Sequence, residues 1–345
     1  MLALILLTSC APPGRALVEG LPDGATEEIV EFVDLDATGE DAEESIDLDD
    51  AGEDMDSDEY AEYLDPEDLP EEEEFVDIDE YETLTDADAT VFTDEDNGVW
   101  EYRAEGLEIV IQRMRDQEEQ LTWYEVDIQC SEKKPLSYLT AADGGFDYPA
   151  QMARRNHAVL AITDDFYGFR AAKGKIQGII LRDGEILSEK TYASGRRAFP
   201  NLDVMAVFAD GSMKCFESGA YTAEEYLAMG AVHTFAFGPI LVTDGQPGPH
   251  MTTEKWYHYR EARCAMGMIA PWHYVFIVAD GYRQGRSRGV YLTWLSRRML
   301  ELGVTEALNL DGGGTTALVF MGRLLNRTGK SKRTVNSLIG FGRTD

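Results

Sequence analysis

The stretch Ala307-Leu308-Asn309-Leu310-Asp311-Gly312-Gly313-Gly314-Thr315-Thr316, followed by Ala317-Leu318-Val319-Phe320, decides how the chain is read. Short apolar runs flank three consecutive glycines, so the pattern predicts a strand entering a glycine loop and a second strand leaving it. Glycine tolerates positive φ and lets a ligand approach the backbone closely. Successive N–H groups in such a turn form an anion-binding concavity. A turn capped by Asp needs fewer than three glycines, so the loop is read as functional. Gly312, Gly313, Gly314 and Thr315 are expected to cradle a phosphate. Asn309 is expected to orient a sugar, and Asp311 to act as an acid or base.

Three further segments carry chemistry. The apolar run 158–162 leads into Thr163-Asp164-Asp165. Two carboxylates sharing a cleft repel each other, which raises one pKa and leaves a group able to act as an acid. Asp165 is assigned to proton transfer and Asp164 to sugar orientation. Arg263 opens a run of small residues, where a guanidinium can clamp phosphate bidentately. Asp280 and Arg283 stand at an expected strand-to-helix junction, a place suited to an anion, and are assigned to substrate binding.

The surroundings read as strands and few helices. Segments 107–112 and 123–128 alternate, and 176–181, 204–208 and 274–279 are short apolar runs. Asp183-Gly184 and Asp210-Gly211 lie between such runs, as hairpin turns do. Thr222-Ala223-Glu224-Glu225 forms a capping box with Gly230 as a stop. A helix is expected over 291–302, with Leu292, Leu295, Met299 and Leu302 on one face and Gly303 ending it. The pattern predicts an α+β domain of mixed sheet, hairpins and a few helices, not a doubly wound parallel sheet.

Charge separates this domain from what precedes it. Of the 65 acidic residues in the 345-residue chain, 36 lie between Glu19 and Asn97, with no Lys or Arg among them. Residues 98–345 hold 29 acidic and 29 basic residues. Such an acidic arm repels phosphate backbones, so nucleic acid is excluded as a partner. Like charges at this density, with little apolar surface, predict a disordered linker over 11–97. Residues 1–7 are apolar and lead into Leu7-Thr8-Ser9-Cys10. That run is shorter than the ~20 residues a membrane span requires. It reads as a lipoprotein-type signal segment, 1–10, with Cys10 lipidated and the folded domain over 98–345. Cys130, Cys215 and Cys264 show no CxxC spacing and read as buried thiols, with at most one disulfide. The five histidines lack ligand spacing. No metal or cofactor is expected.

The order of these motifs resembles the phosphodiester glycosidase family, whose best-known member removes N-acetylglucosamine from a phosphodiester. The matching segments are 162–167, 237–245, 263–267, 280–283 and 309–315, and the resemblance runs over roughly 106–343. Thr163-Asp164 stands where the family carries Asn-Gly, and Cys264 where it carries Thr. Tyr282 interrupts an Asp-Gly-Arg triplet, and Thr315 replaces a Ser. The resemblance implies a hydrolase of sugar-1-phosphodiesters with a carbohydrate phosphodiester as partner. A lipid at Cys10 adds the membrane surface and a cell-envelope glycoconjugate or exopolysaccharide as context. Two rival readings are a non-catalytic polysaccharide-binding lipoprotein and a transferase in exopolysaccharide production.

The lipid reading has a direct test. Expressed at full length in a bacterial host, the chain is expected to sediment with membranes, and the Cys10→Ala form to remain in the supernatant. Equal partition of the two forms overturns the anchor.

Overall fold

The computed structural model describes residues 89–172, 177–190, 202–250, 259–281, 287–327 and 334–343. The expected signal segment, with Cys10, and the linker up to residue 88 lie outside the described residues, as does Arg283. The chain begins with strands β1 (Thr90–Asp94), β2 (Val99–Ala104), β3 (Leu107–Asp116), β4 (Leu121–Cys130) and β5 (Ser137–Thr140). Helix α1 (Pro149–Arg155), β6 (Ala158–Thr163), α2 (Tyr167–Ala172), β7 (Gly178–Arg182) and β8 (Glu185–Lys190) follow. Next come β9 (Asp203–Phe208), β10 (Met213–Phe216), α3 (Ala223–Ala228), β11 (Ala231–Phe237), β12 (Ile240–Thr243) and β13 (Gln246–Pro247). The remaining elements are β14 (Arg263–Ala270), β15 (His273–Ala279), α4 (Leu292–Glu301), β16 (Glu306–Asn309), β17 (Leu318–Phe320), β18 (Arg323–Leu324) and β19 (Ser337–Arg343).

The strands form three sheets. The largest runs β1-β2-β3-β4-β15-β14-β16-β12-β13, the second β10-β9-β11-β7-β8, and the third β18-β17-β6-β19-β5. The domain is therefore mostly sheet with few helices, and each described strand pairing is antiparallel. Alternation in β3 and β4 turns Leu107, Ile109, Ile111, Tyr124, Val126 and Ile128 into one core shared with Phe235, Phe276, Phe320 and Phe341 from all three sheets. Burying each of these apolar side chains contributes on the order of 1.5–3 kcal/mol. A second cluster packs Leu292, Leu295 and Met299 of α4 beneath Leu241, Ala265 and Ile277 of the large sheet. Those three leucine and methionine positions belong to the apolar face expected of this helix.

Local signals set several ends. Thr222 caps α3 by accepting from the Glu225 N–H while Glu225 accepts from the Thr222 N–H. Gly184 and Gly211 take positive φ in the turns after β7 and β9. A Cβ on Gly211 would stand 2.2 Å from the Trp272 ring, so this turn requires glycine twice over. Glu306, buried on β16, joins the first two sheets: Oε1 accepts from Lys214 Nζ at 2.7 Å and Oε2 from the Cys215 N–H at 2.9 Å.

Regular structure begins upstream of residue 98. Residues 90–94 form β1 and pair with 99–103 of β2. Asn97 closes the connection by donating its N–H and its Nδ2 to the Asp94 carboxylate, and Gly98 takes φ +72. The acidic residues of this turn belong to an exposed edge hairpin, which explains why composition alone assigned them to the linker. Further in, Trp100 and Tyr102 are fully packed in the core. A chain starting at residue 89 is expected to keep the melting temperature of the full chain. One starting at residue 106 loses both aromatics and, by the cost of emptying an aromatic site, at least roughly 3 kcal/mol in urea denaturation. Equal stability of the two chains would show that the hairpin does not belong to the core.

Candidate active site

Register brings the expected residues to one end of the sheets. In the large sheet Arg263 lies opposite Ala279, and Ala265 lies opposite both Ile277 and Asn309. The start of β14, the end of β15 and the end of β16 are thus neighbours. The Leu310 N–H donates to the Cys264 carbonyl at 2.9 Å, which carries the ladder on to Asp311 beside Arg263. The third sheet is tied in by the Asp311 N–H, which donates to the Asp164 carbonyl at 3.1 Å. Asp164, Arg263, Asp280 and Asp311, distant in sequence, therefore share one strand-end region.

The glycine loop is held from behind. A Cβ on Gly312 would stand 2.7 Å from the Ala262 carbonyl oxygen, so only glycine fits against that strand. Gly313 adopts φ +64 and donates its N–H to the same carbonyl at 2.8 Å. Residues Gly313–Thr315 make a 3-10 turn in which Gly314 and Thr315 are buried. The loop departs from an open cradle of successive N–H groups, because those of Asp311 and Gly313 are engaged by backbone carbonyls. Thr315 is engaged within the loop. Its hydroxyl lies 2.5 Å from Asp311 Oδ2 and 2.7 Å from the Gly312 carbonyl, so it orients the Asp311 carboxylate.

The two adjacent aspartates have separate surroundings. Asp165 is 0% exposed and its Oδ1 lies 2.9 Å from Arg182 Nη2. Its Oδ2 accepts from the Ala236 N–H at 2.8 Å, and its carbonyl accepts from Arg170 Nη2 at 2.8 Å. The Arg182 guanidinium lies between the Tyr138 and Phe235 rings, 4.3 and 4.4 Å from their centroids. The Asp165 carboxylate is thus held on both oxygens by groups of the second sheet. Asp164 is the differently placed member of the pair. Its Oδ1 accepts from the Phe166 N–H at 2.9 Å, and its Oδ2 accepts from the Ser337 hydroxyl. Burial, and then the Asp165 charge, push the Asp164 carboxyl up to about 7.

Other expected site residues are buried at the same strand ends. Asn309 is fully buried: Nδ2 donates to the Gly238 carbonyl at 2.9 Å, while its backbone pairs with Gly238 and Pro239. It secures the turn between β11 and β12. Asp280 Oδ1 accepts from the Arg327 N–H at 2.8 Å, tying β15 to the loop after β18. Arg263 is buried, with Nη2 3.6 Å from Glu261 Oε2. Thr163, the departure from the family's Asn, accepts from the Ala317 N–H at 2.7 Å and so clasps the exit of the glycine loop. Cys264 lies behind the site with its thiol pushed well up by burial, and the described cysteines form no disulfide. Among the described residues no group of three His, Cys, Asp or Glu is placed to hold a metal.

Sequence reasoning missed Arg170, Arg182, Asp203 and Ser337. Asp203 holds the start of β9 by accepting from the Ser218 and Ile240 N–H groups, each at 3.1 Å. Burial pushes its carboxyl up to about 6. Arg182 and Asp203 each stand next to a turn or loop, where a charged residue reads as solvated; no local signal separates them from surface charges.

A model of the family described as phosphodiester glycosidase matches residues 156–342. The chain belongs to the phosphodiester glycosidase family. The matched segment holds the site from Asp164 to Ser337. A SPbeta prophage-derived protein, YomE, of Bacillus subtilis (strain 168) is 31% identical over 176 residues, 51% of this chain. That match spans 26% of the relative's own length. Two solved structures share the fold. The catalytic domain of zebrafish N-acetylglucosamine-1-phosphodiester alpha-N-acetylglucosaminidase, auto-inhibited by its pro-peptide, has a TM-score of 0.52 at 16% identity, covering 74% of this chain and 87% of that one. A hypothetical protein from Synechocystis has a TM-score of 0.52 at 15% identity, covering 70% of this chain and 63% of that one. At these identities the likeness shows the fold.

The enclosed ion pair generates a prediction. Arg182→Met leaves the Asp165 carboxylate buried without its cation and is expected to cost about 3–5 kcal/mol in urea denaturation. Adding Asp165→Asn to Arg182→Met is expected to recover part of that loss, because the uncompensated charge is gone. A double variant less stable than the single one would show that the pair contributes through packing alone.

Proposed function

We propose that this phosphodiester glycosidase family member hydrolyses a sugar-1-phosphodiester. The observation that carries the reading is the junction at Asp311: a carboxylate aligned by Thr315, adjoining Arg263 along the strand ends and bonded through its backbone to Asp164. In the reaction a water oxygen bonds to the anomeric carbon as the bond from that carbon to the phosphate oxygen breaks. The departing electron pair goes to the phosphate oxygen, which takes up a proton, and the attacking water gives one up. One carboxyl group to give a proton and another to take one suit those two transfers. Asp311 is one of them. Asp164, which holds its proton up to about neutral pH, replaces Asp165 as the other. Arg263 supplies the charge that binds the phosphodiester.

The substrate context is a cell-envelope or extracellular glycoconjugate. Its support is the lipobox-like Leu7–Cys10 run and the acidic tract that follows it, which together suit a surface lipoprotein whose domain is held away from the membrane. The expected three-part organisation is kept in the proposal, with the domain starting at about residue 90.

Asp311→Asn keeps the size and most hydrogen bonding of the side chain but cannot transfer a proton. Turnover of a p-nitrophenyl sugar phosphodiester is expected to fall by on the order of 10²–10⁴, with the melting temperature within a few degrees of the parent. A lowered melting temperature with near-parental kcat would make Asp311 a turn cap and remove it from the chemistry.

A further inference from the structure

Ser337 opens β19 and is 4% exposed. Leu338 lies opposite Thr163 and Ser337 opposite Thr140, so the antiparallel register sets Ser337 against the residue after Thr163, which is Asp164. Tyr138 lies opposite Ile339, one pleat along β19 from Ser337, so its ring stands on the Ser337 face. The Ser337 hydroxyl donates to Asp164 Oδ2, and the Tyr138 phenol lies within reach of the Ser337 side chain. A hydroxyl carries one proton. Because that of Ser337 goes to the carboxylate, its oxygen still offers lone pairs to the phenol O–H. Tyr138, Ser337 and Asp164 thus stand in a row across the adjacent strands β5, β19 and β6 of the third sheet.

We propose that Ser337, backed by Tyr138, is the positioning residue of Asp164: its hydroxyl holds one carboxylate oxygen and sets how readily that carboxyl gives up its proton. The proposal rests on the hydrolase reading only in giving Asp164 a part in the reaction. The groups facing Asp164 act in known directions. Asp165, next along the chain, opposes its ionisation, as does burial. Arg182 of β7 and the Phe166 N–H favour the ionised form, and so does the Ser337 hydroxyl. Arg170 of α2 lies within electrostatic reach of Asp164, Asp165 and Asp311, and buried Cys264 of β14 senses Asp164 and Asp311. Among these, Ser337 is the hydroxyl donor. A donor polarised by a second donor behind it binds an anion more strongly, which gives Tyr138 its part. Tyr138 also packs against the Arg182 guanidinium, a contact that Phe retains.

The sign follows. Removing a donor to the ionised form raises the carboxyl pKa. The protonated carboxyl of Asp164 is followed by its infrared C=O stretch during a pH titration, with Asp164→Asn as the blank. Ser337→Ala is expected to raise the midpoint by about one pH unit, the worth of a hydrogen bond to a charged group. Tyr138→Phe is expected to raise it by less, and Ser337→Thr to restore it. The limb of kcat/KM against pH on the p-nitrophenyl substrate should move with the midpoint. A merely structural hydroxyl forecasts a lower melting temperature and lower kcat with the midpoint unmoved, and that result in Ser337→Ala overturns the proposal. If Ser337→Ala does not fold, an unmoved midpoint in Tyr138→Phe overturns it instead. Midpoints that shift in a protein showing no turnover of any phosphodiester would uphold the part of Ser337 and reject the hydrolase reading.

Discussion

The pairing of Asp165 with Arg182 is the contact on which the site depends. A carboxylate removed from water is tolerable only when charge and hydrogen bonds replace its hydration. Asp165 stands at the end of β6 in the third sheet and obtains both from the second, through Arg182 on β7 and the Ala236 N–H on β11. Arg170 closes the same junction by donating to the Asp165 and Ala236 carbonyls. Two sheets are joined by a requirement that neither can meet alone. The residue before the junction is Asp164, whose carbonyl receives Asp311 from the large sheet. The strained demand of one buried charge thereby locates the place where all three sheets end together.

Within that frame the two neighbouring aspartates divide their tasks by environment. Asp165 is enclosed by cations and N–H donors. Asp164, one residue earlier, meets a hydroxyl and one N–H, and burial together with the Asp165 charge raises its proton affinity. The two adjacent aspartates differ because Asp165 meets Arg182 and the Ala236 N–H while Asp164 meets the Ser337 hydroxyl and the Phe166 N–H. The same logic applies to the glycine loop. Gly312 and Gly313 answer to packing against Ala262 and to a left-handed turn, and what the loop presents is the Asp311 carboxylate held by Thr315.

Departures from the family pattern have local explanations. Thr163 takes a backbone N–H of the loop exit, a clasp that a hydroxyl makes as readily as an amide. Asp164 occupies a glycine position without adopting positive φ, so the backbone here makes no demand for glycine. In its place the chain has a carboxyl, which the register of β6 and β19 sets against Ser337.

Much of this was legible in the amino-acid order. Alternation in β3 and β4, the Asp-Gly turns, the capping box at Thr222 and the amphipathic face of α4 are local patterns, and local sterics and burial reproduce them. The loop at Asp311 and the strand end at Asp164 were legible as well, because glycine runs and paired carboxylates after apolar strands are rare without cause. The start of the domain was not, since the β1–β2 turn carries the same acidic residues as the tract before it and only pairing across the hairpin distinguishes them. Nor were the partners: Asn309 as a support, Asp165 against Arg182, and Ser337 against Asp164. Sequence by itself determined which segments become strands and which residues stand at their ends. Which of those ends meet, and hence which carboxylate is enclosed and which retains a tunable proton, depended on long-range register and on desolvation, properties that no stretch of chain possesses until the sheets have packed.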